Sequence, residues 1–484
     1  MKIFVIIFDT LRKDHTGKTY GNDWIKTPNF DNFAKDSIVF DNAYPESLPT
    51  IPVRRAIHTG LRTFPFNHRK PILRTDDMVF DPGWNPIPPQ HKHISEYLGD
   101  FKYKSAFITS TYHQFKPNMN FHMGFDQWNW IRGHEVDKFR AQMRKSPEEI
   151  QMILDQHALP SRKSRAQAKY QKFILKRYFS NVQYRESEFD YFPALTFQKA
   201  AEFAEDTARF EDVFSLIDEF DPHEPWDPPD HYLELYRDNN YSGNDIIQPV
   251  YSEKLKRISE EEVEYLRSCY AGEVSLCDNW FGYFINKLKD LEIYNESLIF
   301  LISDHGHSIG EHNAMGKIPM CMYPELVDIP FMIKPPGNLN GPKRIQKTYV
   351  YNHDILPTIF GFLGKDQPEV FEGIDLSLFV KEDDHLIEGR DYITCGFSLC
   401  TLYKDDKFAL ITSNDKKYQK LYDLGADPNW NNNITEQNAE IYKDLYQKIE
   451  KDAKNDLLME IEHTSFDEIN DWYMQKKIRE ETEE

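Results

Sequence analysis

Short apolar runs that end abruptly at polar residues recur along this chain and predict its strands. Five of them are Ile3–Phe8, Ala106–Ile108, Val213–Ile217, Leu298–Ile302 and Phe331–Ile333. Nearly continuous apolar runs of this length are typical of strands that are buried on both faces, as in a parallel sheet. Patterns with helical periodicity lie between them, for example from Glu260 to Leu291. This alternation predicts an α/β fold with a mixed, mostly parallel sheet flanked by helices.

The polar residues that close these runs are the first candidates for chemistry. Ligands of open α/β sheets bind beyond the carboxyl ends of the strands, which share one edge of a parallel sheet. Asp9 follows the first run, and Asp304 and His305 follow Leu298–Ile302. A single carboxylate at such a place is equally typical of a helix or turn cap. Two neighbouring strands that both end in a carboxylate can converge on a metal ion, for which an imidazole nitrogen is also a suitable ligand.

Residues 138–212 depart from this alternation, because they are polar, rich in charge and helical in pattern. A solvated helical insertion is the simplest interpretation of such a segment. An oligomer contact or a lid over the substrate stays open as an alternative role for the same residues.

Residues 386–484 predict a second, smaller unit. Two short strands, Tyr392–Cys395 and Phe408–Thr412, are followed by a helix from near Glu436 to Leu458. We therefore expect an α/β catalytic domain over residues 1–385 and a small α+β subdomain at the C-terminus.

The charge and composition of the chain exclude several classes of protein. Its 484 residues include 58 basic and 79 acidic side chains, for a net charge of −21, which argues against a nucleic acid or an anionic membrane as partner. A hydrophobic fraction of 40% excludes disorder for most of the chain. The 5 cysteines are too few and of the wrong parity for a disulfide framework. The N-terminal apolar run is short for a signal peptide, and we expect a cytoplasmic protein.

The segment from Leu48 to Gly60 supplies a candidate nucleophile. Pro52 is favoured in the first turn of a helix, where its missing N–H costs nothing. Thr50 then lies at the helix N-terminus, where backbone N–H groups favour an anion. Arg54 lies one turn further on, so a hydroxyl held between a metal ion and this guanidinium would become nucleophilic. An ordinary threonine cap on a structural helix is the alternative.

Six segments, in the same order along the chain, resemble motifs of the sulfatase family within the alkaline phosphatase superfamily. The segment Thr50-x-Pro52-x-Arg54, which continues to Thr59-Gly60, resembles the sulfatase signature Cys/Ser-x-Pro-x-Arg followed by Thr-Gly. The other five are Asp9-Thr10-Leu11-Arg12-x-Asp14, Thr27–Asp31, Asp221–Trp226, Ser303–Gly306 with Gly310–His312 and Lys317, and Leu421–Leu424 with Asp427-Pro428. The resemblance therefore extends over most of the chain.

The resemblance implies one divalent metal ion and a set of catalytic residues. The implied metal ligands are Asp9, Thr50, Asp304 and His305, and the implied catalytic residues are Thr50, Arg54, His113, His223 and Lys317. The family's second acidic residue after the first aspartate is replaced by Thr10, so the imidazole ligand favours Mn²⁺ or Zn²⁺, while Ca²⁺ stays open. The family's Gly-Lys-Trp-His segment corresponds to Ser110–His113, which keeps the histidine and loses the lysine.

The residue at the signature position changes the activity that the resemblance implies. Sulfatases convert the signature Cys or Ser to formylglycine, and Thr50 is not a known substrate of that conversion. A threonine ester has no second hydroxyl to expel the product, so water has to attack the transferred group itself. Superfamily members with an unmodified threonine mostly act on phosphorus. The resemblance thus favours hydrolysis of phosphate diesters or phosphonate monoesters through a covalent intermediate, with His223 or His113 protonating the leaving oxygen.

Three other activities stay open at this point. The chain could be a sulfatase that acts without formylglycine, a transferase that passes a phospho group from Thr50 to an alcohol, or a binding module that retains the fold. The basic candidate site within an acidic protein favours a small anionic ester as substrate, with neither a nucleic acid nor a membrane as partner. A homo-oligomer stays open.

Overall fold

The computed structural model describes residues 1–66, 81–115, 119–159, 165–255, 258–337, 343–381 and 389–461. The strands are β1 (Lys2–Phe8), β2 (Ile38–Tyr44), β3 (Ser47–Leu48), β4 (Lys104–Thr109), β5 (Gln127–Trp130), β6 (Val213–Glu219), β7 (Ser297–Ser303), β8 (Ser308–Ile309), β9 (Met315–Gly316), β10 (Phe331–Lys334), β11 (Lys343–Tyr351), β12 (Ile393–Phe397), β13 (Cys400–Lys404), β14 (Phe408–Ser413) and β15 (Gln419–Asp423). The helices are α1 (Pro28–Ala34), α2 (Thr50–Thr59), α3 (Ile94–Asp100), α4 (Pro147–His157), α5 (Arg165–Val182), α6 (Phe192–Thr207), α7 (Asp230–Leu233), α8 (Glu260–Asp290), α9 (Pro324–Val327), α10 (Ile355–Leu363), α11 (Leu378–Lys381) and α12 (Ala439–Asp452).

A large sheet, with the strand order β11-β2-β10-β7-β1-β6-β4-β5, forms the centre of the molecule. All residues of β1, β6 and β7 are buried, as the apolar runs predicted. β1 pairs in parallel with both neighbours, and Phe8 lies opposite Ser303 on one side and Glu219 on the other. The residues that follow these three strands therefore lie side by side at one edge. The mixed, mostly parallel sheet expected from the sequence is confirmed.

Helices cover both faces of this sheet, because alternate residues of each central strand point to opposite faces. Phe4, Ile6 and Phe8 of β1 pack in the core formed with α1, α6 and α8. Ile3, Val5 and Ile7 pack in a second core with α2, α3 and α10. None of the helices in the described part of the chain is long and apolar enough to cross a membrane. The cytoplasmic location stays a prediction.

β10 differs from the expected parallel arrangement. It pairs antiparallel with both β7 and β2, so its last residue, Lys334, lies at the edge opposite to the other strand ends. The Lys334 ammonium donates hydrogen bonds to the carbonyls of Tyr294, Asn295 and Ser297. Burial lowers its pKa to about 8. The polar residue that closes this run therefore has a structural role, because an apolar run alone does not give the direction of its strand.

The segment 138–212 contains α4, α5 and α6, which differ in position. α6 packs directly on β6 and α8, and its Phe197, Ala200 and Ala204 belong to the central core. α5 lies further out, and its residues Tyr170 and Ile174 line a cavity described below. Part of this segment thus completes the helix layer, and part of it contacts the candidate site.

The smaller sheet has the strand order β15-β14-β13-β12-β3. Its strands β12 and β14 begin and end within one or two residues of the predicted strands. The observed helix α12 is shorter than the helix predicted from near Glu436 to Leu458, and it ends at Asp452. β3 is the segment just before Thr50, and its Ser47 and Leu48 pair in parallel with Gly396 and Phe397. The C-terminal strands are therefore hydrogen-bonded to the segment that carries the candidate nucleophile. The domain boundary at residue 386 stays a prediction.

Candidate active site

Thr50 is the first residue of α2, directly after β3 and Pro49. Pro52 lies in the first turn of the helix, in agreement with the sequence analysis. The Thr50 side chain is almost fully buried, and its Oγ1 lies 3.5 Å from Nε2 of His305. The hydroxyl is therefore held close to one of the implied metal ligands.

Asp9, Asp304 and His305 form a compact buried group at the ends of β1 and β7. One ligand atom of each lies within 4.8 Å of the others. The His305 Nδ1–H donates a hydrogen bond of 2.9 Å to the Gly306 carbonyl, which leaves the Nε2 lone pair available to a metal ion. Burial lowers the pKa of His305 to about 4, so the ring is neutral near pH 7. The structure thus brings together three of the four implied ligands, Asp9, Asp304 and His305.

The Asp9 carboxylate indicates that this group requires a cation. Both of its oxygens are buried without a hydrogen bond among the described residues. Burial, followed by repulsion from Asp304, raises the pKa of Asp9 well above its usual value. Asp9 shares the Arg54 guanidinium with Asp218 and Asp304, and three buried carboxylates beside one guanidinium are costly unless a further cation compensates them. The residues present therefore fit a divalent metal ion with two oxygen ligands and one nitrogen ligand.

Arg54 does not contact the Thr50 hydroxyl as the sequence analysis expected. Its guanidinium is fully buried and pairs with Asp218 at 2.7 Å, Asp304 at 2.5 Å and Asp9 at 3.0 Å. It also donates a hydrogen bond of 3.2 Å to the Thr50 carbonyl. Since three carboxylates surround one guanidinium, Arg54 holds Asp9 and Asp304, the two candidate metal ligands, in place and fixes the first turn of α2.

Asp218 was missed as a functional residue, although it follows the predicted strand Val213–Ile217. Its carboxylate accepts two hydrogen bonds from Arg54, one from Thr111 and one from Gln114. Thr111 occupies the position of the lysine in the family's Gly-Lys-Trp-His segment. The lost lysine is thus replaced by a hydroxyl that contacts Asp218. The signal that could have found Asp218 is its place at the end of a central strand.

Lys317 and His223 are brought into direct contact. The Lys317 ammonium donates a hydrogen bond of 2.9 Å to His223 Nε2 and lies 3.3 Å from Glu224 Oε2. The His223 Nδ1–H donates to the Glu224 carbonyl over 2.7 Å. Burial lowers the pKa of His223 well below its usual value. His223 is therefore neutral and accepts from Lys317, which differs from its expected role as the proton donor.

Glu224 is a further residue that the sequence analysis did not single out, although it lies within the motif Asp221–Trp226. The Tyr251 hydroxyl donates a short hydrogen bond to one carboxylate oxygen of Glu224, and His307 Nε2 lies 3.4 Å from the other. Burial opposes ionisation of Glu224, but the positive charge of the adjacent Lys317 holds its pKa well below the usual value. Glu224 is therefore an ionised partner that fixes the Lys317–His223 pair.

His113 also lines the cavity that contains His223 and Lys317. Its ring packs edge-on against Trp84, with 5.0 Å between the centroids, and lies tilted against the Tyr112 ring, with 4.0 Å between the centroids. Its Nε2 lies 3.8 Å from a carboxylate oxygen of Glu135. His113 thus faces the site together with Thr50.

The cavity beside Thr50 has a volume of about 560 Å³, which suits a small-molecule ligand. Thr50, His113, His223 and Lys317 all line it, whereas Arg54 lies behind Thr50 and is fully buried. The other lining residues are Pro49, Asp81, Trp84, Glu135, Tyr170, Gln171, Ile174, Glu224, Gln248, Pro249, Val250, Tyr251 and Phe397. α5 and the smaller sheet each contribute part of the wall.

The sequence profile of the Sulfatase family matches residues 2–365 of this chain. The chain belongs to the sulfatase family. An arylsulfatase of Clostridium perfringens is 23% identical over a gapped alignment of 497 positions, and this alignment covers 93% of this chain and 92% of that protein. The multifunctional alkaline phosphatase superfamily protein PehA of Trinickia caryophylli is 23% identical over an alignment of 431 positions, which covers 78% of this chain and 77% of that protein. Among solved structures, the phosphonate monoester hydrolase of Agrobacterium radiobacter is similar with a TM-score of 0.68 at 17% identity, covering 94% of this chain and 96% of that chain.

Membership in the sulfatase family establishes the class of activity. The chain is a sulfatase-like ester hydrolase of the alkaline phosphatase superfamily, and members of the family depend on a divalent metal ion. The buried group of Asp9, Asp304 and His305 is a suitable place for that ion.

Proposed function

We propose that this chain hydrolyses small phosphate diesters or phosphonate monoesters, with Thr50 as nucleophile. The observation that carries the proposal is the position of Thr50, which lines the cavity and lies 3.5 Å from His305 Nε2. The hydroxyl is thus placed between the substrate space and the group of residues suited to a metal ion. Asp9, Asp304, His305 and Thr50 would hold that ion.

A bound divalent metal ion lowers the pKa of a coordinated hydroxyl and attracts the oxygens of the transferred group. This chain prepares the site in two ways. Arg54 neutralises part of the charge of Asp9 and Asp304 and is itself held in place by the two hydrogen bonds that it donates to Asp218. The start of α2 directs backbone N–H groups toward the space near Thr50, where negative charge develops.

The reaction proceeds by two displacements at phosphorus. In the first, Thr50 Oγ1 loses its proton to water and bonds to phosphorus while the bond from phosphorus to the alcohol oxygen breaks. In the second, water bonds to phosphorus, the Thr50–phosphorus bond breaks and Thr50 regains a proton. The sum consumes one ester and one water and gives one alcohol and one acid.

Lys317 carries the proton on the leaving-group side of the site. His223 Nε2 accepts a hydrogen bond from Lys317 and therefore holds no proton that it could donate. The Lys317 ammonium can give a proton to the leaving oxygen and regain one from water, while His223 and Glu224 keep it in position. His113, which also lines the cavity, would contact the oxygens of the bound ester.

The absence of a second hydroxyl on Thr50 supports phosphorus over sulfur as the reacting centre. Formylglycine expels sulfate by collapse of its hydrate, which a threonine ester cannot do, so release relies on attack by water. A sulfate ester is the second candidate, and the coverage of 93% of this chain by the Clostridium perfringens arylsulfatase favours keeping it.

Parallel assays on the metal-reconstituted protein test the proposal. The protein is loaded with Mn²⁺, Zn²⁺ or Ca²⁺ and assayed with bis(p-nitrophenyl) phosphate, p-nitrophenyl phenylphosphonate and p-nitrophenyl sulfate. We expect kcat/KM for a phosphorus ester to exceed that for the sulfate at least about tenfold. Faster Thr50-dependent hydrolysis of the sulfate would establish the second candidate instead. Metal binding without hydrolysis of any of the three esters would favour a binding module.

A further inference from the structure

The cavity beside Thr50 has more negative than positive side chains in its wall. The charged lining residues are Asp81, Glu135, Glu224 and Lys317. Lys317 and Glu224 pair with each other across 3.3 Å. Among the described lining residues, this leaves no lysine or arginine for Asp81 and Glu135. A wall of this charge disfavours an anionic group on the alcohol part of the substrate.

Asp81 has no hydrogen bond or ion pair of its side chain among the described residues, although it is only partly exposed. Burial raises its pKa to about 6. The Glu135 carboxylate, at 13% exposure, accepts a hydrogen bond of 2.6 Å from the Tyr112 hydroxyl. Two partly desolvated carboxylates in one cavity are stabilised by a ligand that brings positive charge.

Gln248 adds a third oxygen acceptor to this wall. Its Oε1 is buried and has no hydrogen-bond partner among the described residues, while its amide nitrogen donates to the Pro249 carbonyl. Both polar atoms of the neighbouring Gln171 side chain are hydrogen-bonded, since its oxygen accepts from the Leu159 N–H and its nitrogen donates to the Gln248 carbonyl. Asp81 and Gln248 therefore offer oxygen atoms that can accept further hydrogen bonds, which suits a ligand that donates hydrogen bonds.

Four aromatic side chains line the same cavity as these acceptors. Trp84, Tyr170, Tyr251 and Phe397 all line the cavity. The Lys317 ammonium already lies 5.4 Å from the centre of the Tyr251 ring, so this wall accommodates a cation against an aromatic face. Aromatic rings combined with carboxylates are the usual means by which proteins bind organic ammonium groups.

We propose that the alcohol part of the substrate carries an organic ammonium group, which Asp81 and Glu135 bind together with the rings of Trp84 and Tyr170. The inference rests on the proposed ester hydrolysis and names the substrate class of the same site. The substrate is then a small zwitterion, with its anionic ester group at Thr50 and its cation in the acidic and aromatic part of the cavity. A primary and a quaternary ammonium share this chemistry, and the test separates them.

Matched phenylphosphonate monoesters, assayed by release of phenylphosphonate, test this preference in the metal-loaded enzyme. The leaving alcohol is 2-aminoethanol, choline or 1-propanol, and the first and last differ only by an ammonium in place of a methyl group. We expect kcat/KM for one of the two ammonium esters to exceed that for the propyl ester by about tenfold or more. Asp81→Asn lowers this ratio several-fold, whereas Asp206→Asn, at an exposed position of α6, leaves it unchanged. A ratio of one or less in the unaltered enzyme overturns the inference.

A binding measurement separates failure of this inference from failure of the proposed function. Calorimetry with the Thr50→Ala variant compares ethanolamine, choline and 1-propanol. Tighter binding of an amine, weakened by Asp81→Asn, supports ammonium recognition even if no ester is hydrolysed. Equal or tighter binding of 1-propanol refutes ammonium recognition even if phosphate diesters are hydrolysed.

Discussion

The Lys317 ammonium donates a hydrogen bond of 2.9 Å to Nε2 of His223 in the wall of the cavity. Burial lowers the pKa of His223 well below its usual value, so the histidine is the acceptor and the proton of the pair lies on Lys317. This relationship assigns the proton to a different residue from the one expected by analogy with general acid catalysis by histidine.

This assignment predicts that the loss of activity on removing the Lys317 ammonium depends on the leaving group of the ester. Lys317→Met should lower kcat/KM about 100-fold for an alkyl ester, whose oxygen needs a proton to leave. The loss should be much smaller for a p-nitrophenyl ester, since p-nitrophenolate leaves without protonation. Kinetics with both esters measure the difference, and Lys199→Met, on the exposed side of α6, is the control. Equal losses for the two esters would mean that Lys317 only binds the substrate.

The Asp9 carboxylate shares Arg54 with two other carboxylates, and this predicts opposite effects of one substitution with and without metal. Asp9→Asn removes one of the carboxylates packed against Arg54, so the metal-free variant should be at least as stable as the metal-free parent. A metal ion at 100 times its Kd should stabilise the parent by about 2.7 kcal/mol, and this gain should disappear in the variant. Thermal unfolding with and without Mn²⁺ or Zn²⁺ gives both numbers. An unchanged metal-dependent gain would place the ion elsewhere.

Arg54 should be needed for folding as well as for activity. Arg54→Met leaves Asp9, Asp218 and Asp304 without their common cation, and we expect a loss of about 3–5 kcal/mol in the free energy of unfolding. Arg54→Lys keeps the charge but loses the two-bond contact with Asp218, so its loss should be smaller. Urea unfolding measures both. Asp218→Asn should partly restore the stability that Arg54→Met loses. If it does not, the charge of Asp218 is not balanced by Arg54.

His312 should stabilise the protein in a pH-dependent manner. Its Nδ1 lies 3.0 Å from Glu325, and although partial burial opposes protonation, this hydrogen bond raises the pKa of His312 above its usual value. A raised folded-state pKa gives stability that is fully present below the unfolded value and is lost as the pH rises through the folded value. His312→Gln should therefore lower the free energy of unfolding more at about pH 5.5 than at about pH 8.5. The same pH dependence in the Glu325→Gln background would contradict this origin.

The convergence of Asp9 and Asp304 could be predicted because it depends only on the sheet. Both residues follow strands that are buried along their whole length, and such strands lie parallel with their ends at one edge. The same reasoning was wrong for Lys334, since an apolar run does not reveal that β10 runs in the opposite direction. Strand direction depends on the connections between elements, which local patterns do not give.

The partners of the catalytic side chains could not be predicted in the same way. The motifs identified Arg54, His223 and Lys317 individually, but the contact between the last two joins residues 94 positions apart. Which of them carries the proton depends on burial and on the carboxylate of Glu224, and neither is visible in a motif. The three-carboxylate environment of Arg54 likewise appears only when β1, β6 and β7 are assembled.

Substitution of Thr50 tests the central claim most directly. Thr50→Ala and Thr50→Ser are assayed with the metal-loaded protein on an aryl sulfate, a phosphate diester and a phosphonate monoester, with bound metal measured in each sample. We predict that Thr50→Ala loses activity on every ester that the parent hydrolyses by at least about 10³-fold, while Thr50→Ser retains a measurable part of it. Full activity of metal-loaded Thr50→Ala on these esters would contradict a nucleophilic role for Thr50.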